Sequence, residues 1–261
     1  MYKTKIGDIT MYYQHLGTGE PLVLIHGLGE IKEGWFYQHE LANEYELVIP
    51  DLRGHGESET TEGISIENFA KDILLLLDFL KIESAHICGL SMGGIVAQEL
   101  YRQAPDRCRS LILASTLHYV PDHLGKSIMN IRKYRMQKLP IALQKQISAR
   151  SCFYSWNSNM FEHFSNYHRP KPTAYLKSVE ACLKVDYRKL LSEIKVPTLI
   201  IGCQYDAIVP LWAQILMHKR IPNSDLFIFR RVGHIAKLEA PEQFNKVLRA
   251  FLNKNKLEKA M

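Results

Sequence analysis

Long apolar runs are missing from this 261-residue chain. Its most apolar stretch, 73–77, stops at Asp78, far short of the ~20 residues a membrane-spanning helix needs. No export signal is expected either, because Met1-Tyr2-Lys3-Thr4-Lys5 passes straight into alternating residues. Cysteine is scarce. Cys88, Cys108, Cys152, Cys182 and Cys203 are odd in number, scattered and free of any C-x-x-C pair, which argues against a disulfide framework and a zinc site. A cytoplasmic protein with buried reduced thiols is the expectation. No P-loop, G-x-G-x-x-G or H-E-x-x-H occurs, so nucleotide, dinucleotide and zinc chemistry lack support, and neither metal nor cofactor is expected.

What is there fits a folded enzyme-sized domain. With 46% hydrophobic and 23% charged residues, the chain can bury a sizeable core, and its length suits one α/β domain carrying an insertion. The net charge of +6 is uneven: residues 118–196 hold 14 Lys and Arg against 5 Asp and Glu, which leaves the rest at −3. Such a segment is either a solvated helical surface or a field that draws anionic substrates. It lacks the organised patch and fold motif of a nucleic-acid binder.

Alternation over 3–15, with Gly7-Asp8 as a turn, predicts a hairpin. The wholly apolar run at 22–25 reads as a strand buried on both faces of a mostly parallel sheet, and the largely apolar runs at 45–49, 85–88, 110–114, 198–202 and 225–229 read as further strands of it. Helical periodicity covers 64–81, 92–104, 211–220 and 241–253. The alternation implies a doubly wound α/β sheet. Between 118 and 189 it breaks: no buried-strand run occurs, helical patches lie at 128–137 and 175–182, and Phe153, Tyr154, Trp156, Phe161, Phe164 and Tyr167 cluster. An insertion this long is better read as a helical lid after the sixth strand than as a loop. The expected organisation is a core of 1–117 and 190–261 with a cap of 118–189, and the basic tail 253–261 reads as a fraying helix end.

The chemistry centres on Gly89-Leu90-Ser91-Met92-Gly93, at a strand-to-helix junction. G-x-S-x-G gains meaning from that setting: the sharp turn strains Ser91, lifts its hydroxyl above the carboxyl edge of the sheet, and requires small residues at Gly89 and Gly93. The helix start behind the serine favours a developing oxyanion. Eleven histidines compete as the base. His234, in Val232-Gly233-His234, follows the last strand at the same sheet edge, with Gly233 allowing a tight turn. Asp206, just past the strand at 198–202, is the orienting acid. The loop after the preceding strand carries no carboxylate before Asp122, and Glu239 reads as a local structural contact. Met92 N–H and Leu28 N–H, the latter in His26-Gly27-Leu28-Gly29, are the expected oxyanion donors, with His26 and Gly27 bracing the loop.

Taken jointly, His26-Gly27, Asp51-Leu52-Arg53-Gly54-His55-Gly56-Glu57-Ser58, Gly89-Leu90-Ser91-Met92-Gly93-Gly94, Asp206 and Gly233-His234 resemble the α/β-hydrolase fold family over nearly the whole chain outside the cap. Segments 64–80, 86–94 and 186–197 resemble 3-oxoadipate enol-lactonases and small carboxylesterases. The resemblance implies a Ser-His-Asp hydrolase acting on a small-molecule ester or lactone, with 51–58 a supporting loop. Members with an aspartate nucleophile, such as haloalkane dehalogenases and epoxide hydrolases, are set aside because position 91 is serine. Non-hydrolytic chemistry on the same triad (carbon–carbon cleavage, elimination or perhydrolysis) and a ligand receptor using the pocket are the alternatives. A monomer or homodimer is expected, with no nucleic-acid or membrane partner.

Overall fold

The computed structural model describes residues 1–58, 60, 62–156 and 158–256. Its strands are β1 (Tyr2–Ile6), β2 (Ile9–Leu16), β3 (Glu20–Ile25), β4 (Tyr45–Pro50), β5 (Ala85–Leu90), β6 (Cys108–Ala114), β7 (Thr198–Cys203) and β8 (Ser224–Phe229). They form one sheet in the order β1-β2-β4-β3-β5-β6-β7-β8. The β1-β2 hairpin and its β2-β4 junction are antiparallel, and every pairing from β4 through β8 is parallel. The helices are α1 (Ile66–Phe79), α2 (Met92–Gln103), α3 (Asp122–Lys138), α4 (Ile141–Cys152), α5 (Ser158–Tyr167), α6 (Pro172–Leu183), α7 (Leu211–Arg220), α8 (Ala236–Glu239) and α9 (Pro241–Lys254).

The apolar strand runs are explained by cover on both faces. Successive side chains of a strand point to opposite sides. Val23 and Ile25 pack into a core with Phe69, Ile73 and Leu77 of α1 and Val96 and Leu100 of α2. Leu22 and Leu24 pack into a second core with Trp35 and with Phe244, Leu248 and Leu252 of α9. The tight segment Lys32–Asn43, whose buried residues Lys32, Trp35, Gln38 and Leu41 recur every third position, supplies Trp35 and Leu41 to that second core.

Boundaries move for local reasons. α1 begins at Ile66 rather than 64 because Ser65 caps it, accepting from Asn68 N–H, a contact worth about 1 kcal/mol. It stops before Lys81, which has φ 59°. α2 ends at Gln103 because Ala104 precedes Pro105, and a residue before proline disfavours the helical region. β5 runs two residues past 88, so the strand abuts Ser91 directly. Of the tail, residues 253–256 are described, and 257–261 lie outside the described residues.

Between β6 and β7 the chain leaves the sheet for α3, α4, α5 and α6. The two ends of this segment meet at a neck, where Tyr187 N–H donates to His118 O (2.8 Å) and Tyr119 bridges Asp186. On its far side, Arg169 N–H donates to Gly29 O (2.8 Å), so the four-helix segment rests on the loop that follows β3.

Candidate active site

Ser91 joins β5 to α2 with φ 54° and ψ −115°, a conformation that costs a non-glycine residue roughly 1–3 kcal/mol. The surrounding backbone holds it there. Ser91 N–H donates to Ala114 O (2.9 Å), and Ser91 O accepts from Thr116 Oγ1 (2.6 Å). A Cβ on Gly89 would sit 2.1 Å from Gly93 O, and one on Gly93 would sit 2.3 Å from Ile25 O. The turn therefore excludes side chains at both positions.

Asp206 lies beyond β7. Its Oδ1 accepts from the N–H groups of Ile208 and Val209 (2.8 Å each), and its Oδ2 accepts from His234 Nδ1 (2.8 Å). The two side chains are 0% and 6% exposed, so this pair is shielded from water. With Nδ1 donating to the carboxylate, the tautomer leaves Nε2 as an acceptor. Ser91 and His234 line one cavity of about 70 Å³. No hydrogen bond joins Ser91 Oγ to His234 in this structure, a contact that commonly tightens only with substrate bound.

Gly233 is needed for a different reason than a tight turn. The left-handed residue of this loop is Arg231, with φ 54°. A Cβ at Gly233 would fall 2.5 Å from Cys152 O, so glycine lets the loop press against the end of α4. Glu239 does more than brace its own loop. Its carboxylate accepts from Gly233 N–H (2.8 Å) and from the N–H groups of Tyr154 (3.2 Å) and Ser155 (2.6 Å), some 84 residues away.

Leu28 and Met92 flank the serine, and both line a second, largely apolar cavity of about 340 Å³ that also contains Ser91. Among the described residues neither backbone N–H donates to a turn or loop acceptor. His26 Nδ1 donates to Gly27 O (2.8 Å), and its Nε2 accepts from Leu52 N–H (3.1 Å). Burial holds its pKa below the ordinary histidine value. His55, His118 and His168 are likewise kept neutral, burial pushing them down to about 3, 4 and 4. Asp51, in the supporting loop, accepts from Lys32 N–H and Nζ (2.8 Å each) and Glu57 N–H (3.0 Å).

Three groups were not singled out by pattern. Glu30 Oε2 accepts from Gly27 N–H (2.9 Å), while its Oε1 pairs with Lys237 Nζ (3.2 Å). Burial pushes the Glu30 pKa up, but Lys237 and the Gly27 N–H outweigh it and hold the carboxylate ionised. This buried pair ties the loop after β3 to α8, just past His234. Arg132 and Arg135, one helical turn apart on α3, line the Ser91–His234 cavity. Spacing hints at each: Glu30 stands three residues after Gly27, Lys237 three after His234, and the arginines at i, i+3.

A model of the alpha/beta hydrolase fold matches residues 20–241. The chain is similar to the 2-hydroxy-6-oxononadienedioate/2-hydroxy-6-oxononatrienedioate hydrolase of Burkholderia vietnamiensis, 31% identical over 95% of this chain and 92% of that one. It is also similar to 3-oxoadipate enol-lactonase 1 of Acinetobacter baylyi, 28% identical over 81% of this chain and 80% of that one. Among solved structures, a thermophilic esterase from Thermogutta terrifontis aligns with a TM-score of 0.89 at 26% identity, covering 98% of this chain and 100% of that one.

Proposed function

Because the chain belongs to the alpha/beta hydrolase fold family, we propose that it is a serine hydrolase that cleaves a carboxylic ester or lactone with Ser91, His234 and Asp206 as its triad. The observation that carries this reading is Ser91 on a strained strand-to-helix turn, in one cavity with a histidine whose Nδ1 is held by a buried carboxylate. His234 Nε2 takes the Ser91 proton as Oγ bonds to the substrate carbonyl carbon. The N–H groups of Leu28 and Met92 receive the oxyanion. As the carbon–oxygen bond breaks, His234 returns the proton to the leaving alcohol. A water molecule, deprotonated by His234, then attacks the acyl-serine and releases the acid and free Ser91. Asp206 stabilises the imidazolium throughout.

The four-helix segment 118–189 acts in this reading as a lid, and its positive charge favours anionic small molecules. Purified protein should hydrolyse short p-nitrophenyl esters and be titrated by a fluorophosphonate, both lost in Ser91→Ala. Labelling that persists in Ser91→Ala would overturn the nucleophile assignment. Tight ligand binding without turnover would favour a receptor. A second reading comes from the Burkholderia vietnamiensis relative, whose named substrates are oxo acids rather than esters. Ser91-dependent cleavage of a 6-oxo dioate with no ester turnover would favour carbon–carbon hydrolysis on the same triad.

A further inference from the structure

Three cavities meet at Arg132 and Arg135. The smallest holds Ser91 and His234. The apolar one of about 340 Å³ runs from Ser91 past Met92 and Ile95 to Ile128, Val179 and Leu183. The third, about 630 Å³, lies between α3, α4 and the start of α6, and shares Arg132, Arg135, Ser148, His168 and Tyr175 with the smallest. His234 borders the smallest cavity and is absent from the lining of the apolar one.

That asymmetry orients a substrate. The group that His234 protonates as it departs must lie on His234's side of Ser91, in the small cavity and onward into the third. The acyl chain then extends the other way, among the apolar side chains. The third cavity adds Lys145 and Arg169 to the two arginines, and no Asp or Glu is among its described lining residues. Arg132 Nη1 donates to Tyr175 Oη (2.7 Å) and Lys145 Nζ to Ser165 O (3.3 Å), both uncharged acceptors. Guanidinium groups in such partly desolvated walls pair well with carboxylate or phosphate. The volume matches that of ordinary small-molecule pockets.

Resting on the serine hydrolase reading, we infer that the substrate is an ester of an apolar acid with an anionic leaving group, its carboxylate or phosphate held by Arg132 and Arg135 in the basic chamber of the cap. The charge thus sits on the alcohol part, not on the acyl part.

The test compares five phenyl esters. Two hexanoates differ only in the leaving group, 4-carboxyphenyl against its neutral 4-carbamoylphenyl analogue. A 4-phosphonooxyphenyl hexanoate replaces carboxylate with phosphate. The monophenyl ester of adipic acid, set against its methyl ester, moves the charge to the acyl side. Wild type should show kcat/KM for the carboxyphenyl ester at least about tenfold above the carbamoyl ester, with the ratio shrinking as salt is added. The ratio should fall toward one in Arg132→Gln/Arg135→Gln and partly recover in Arg135→Lys. The larger gain between carboxylate and phosphate identifies the anion, and either supports the assignment. A wild-type ratio at or below one, a ratio untouched by the double substitution, or a larger gain for the acyl-side carboxylate overturns it. The salt series needs no variant, so a misfolded variant leaves the test intact. Ser91-dependent turnover with no charge preference sinks only this inference. Absence of Ser91-dependent turnover for all five esters sinks the hydrolase reading itself.

Discussion

The carboxyl edge of the sheet and the four-helix cap enclose the same cavities in opposite ways. At the sheet edge the proposed catalytic residues are held by short hydrogen bonds: the Ser91 backbone by Ala114 O and the Thr116 hydroxyl, and the Asp206 carboxylate by the Ile208 and Val209 amides. The strands beneath are buried on both faces. In the cap, α3 buries only Gly125 and leaves Ile131 and Tyr134 exposed, while α4 buries only Ala149 and Cys152. A region with few buried apolar side chains sits at the low end of local stability. The contrast separates two tasks. In the proposed reading, geometry that must hold to within a fraction of an ångström is built on the rigid part, and selection of what enters is given to the softer one.

The sharpest way to break this comparison is to remove function from the rigid side. Asp206→Asn should lower kcat by about 10⁴-fold while the fold is retained, because the wrong tautomer of His234 is then favoured. Loss of only a few-fold would mean that the edge is less committed than its geometry implies. Next in size, Glu30→Gln removes one member of a pair that is 7% and 1% exposed. It should destabilise the protein by about 3–5 kcal/mol in urea unfolding, since Lys237 is left as an uncompensated buried charge. The cap counterpart is Lys184→Ala, which removes a pair that is 71% and 53% exposed. That change should stay within about 0.5 kcal/mol, and equal effects of the two substitutions would erase the distinction.

Between these lies a pH effect. Burial holds His86 in the sheet, His118 at the neck and His168 in the cap down to about 4. The unfolded chain takes up protons near 6.5 that the folded chain refuses, so stability is full above about pH 6.5 and falls as pH drops toward 4. Melting temperatures at pH 7 and pH 5 check the sign. A higher melting point at pH 5 would contradict it.

How legible all this was in the residues also divides along the same line. Strands β3 to β7, buried over most of their length, read as largely apolar runs and were found within a few residues, and β8, more open at the sheet edge, was found by its Leu226–Phe229 run. Ser91, Asp206 and His234 were picked out because each follows such a run, and the structure brings them to one end of the sheet. Lys32–Asn43 was missed because its buried side chains recur every third residue, the tighter 3-10 period, and two of the four, Lys32 and Gln38, are polar, so no apolar stripe of α-helical or strand period marks it. In the cap, α3 and α6 left helical patches at 128–137 and 175–182, whereas α4 and α5 gave only an aromatic cluster. Extent of burial does not sort them, since α3 buries only Gly125; in α4 the two buried residues, Ala149 and Cys152, stand in its last turn and leave its first two turns without a buried stripe. Glu30–Lys237 joins residues far apart in the chain that meet only after folding, and Arg132 and Arg135, though neighbours on α3, become a cavity wall only when distant Ser91, His168 and His234 are brought opposite them.

The Glu239 carboxylate, which receives amides from both Gly233 and the Tyr154-Ser155 turn, makes these two distant stretches share a clock. Amide hydrogens at positions 154, 155 and 233 should exchange with solvent deuterium at linked rates, since one lifting of the cap from the base-bearing loop releases them together. The same event would loosen the loop that carries His234, so in the proposed triad the ordering of its base is read from deuterium uptake.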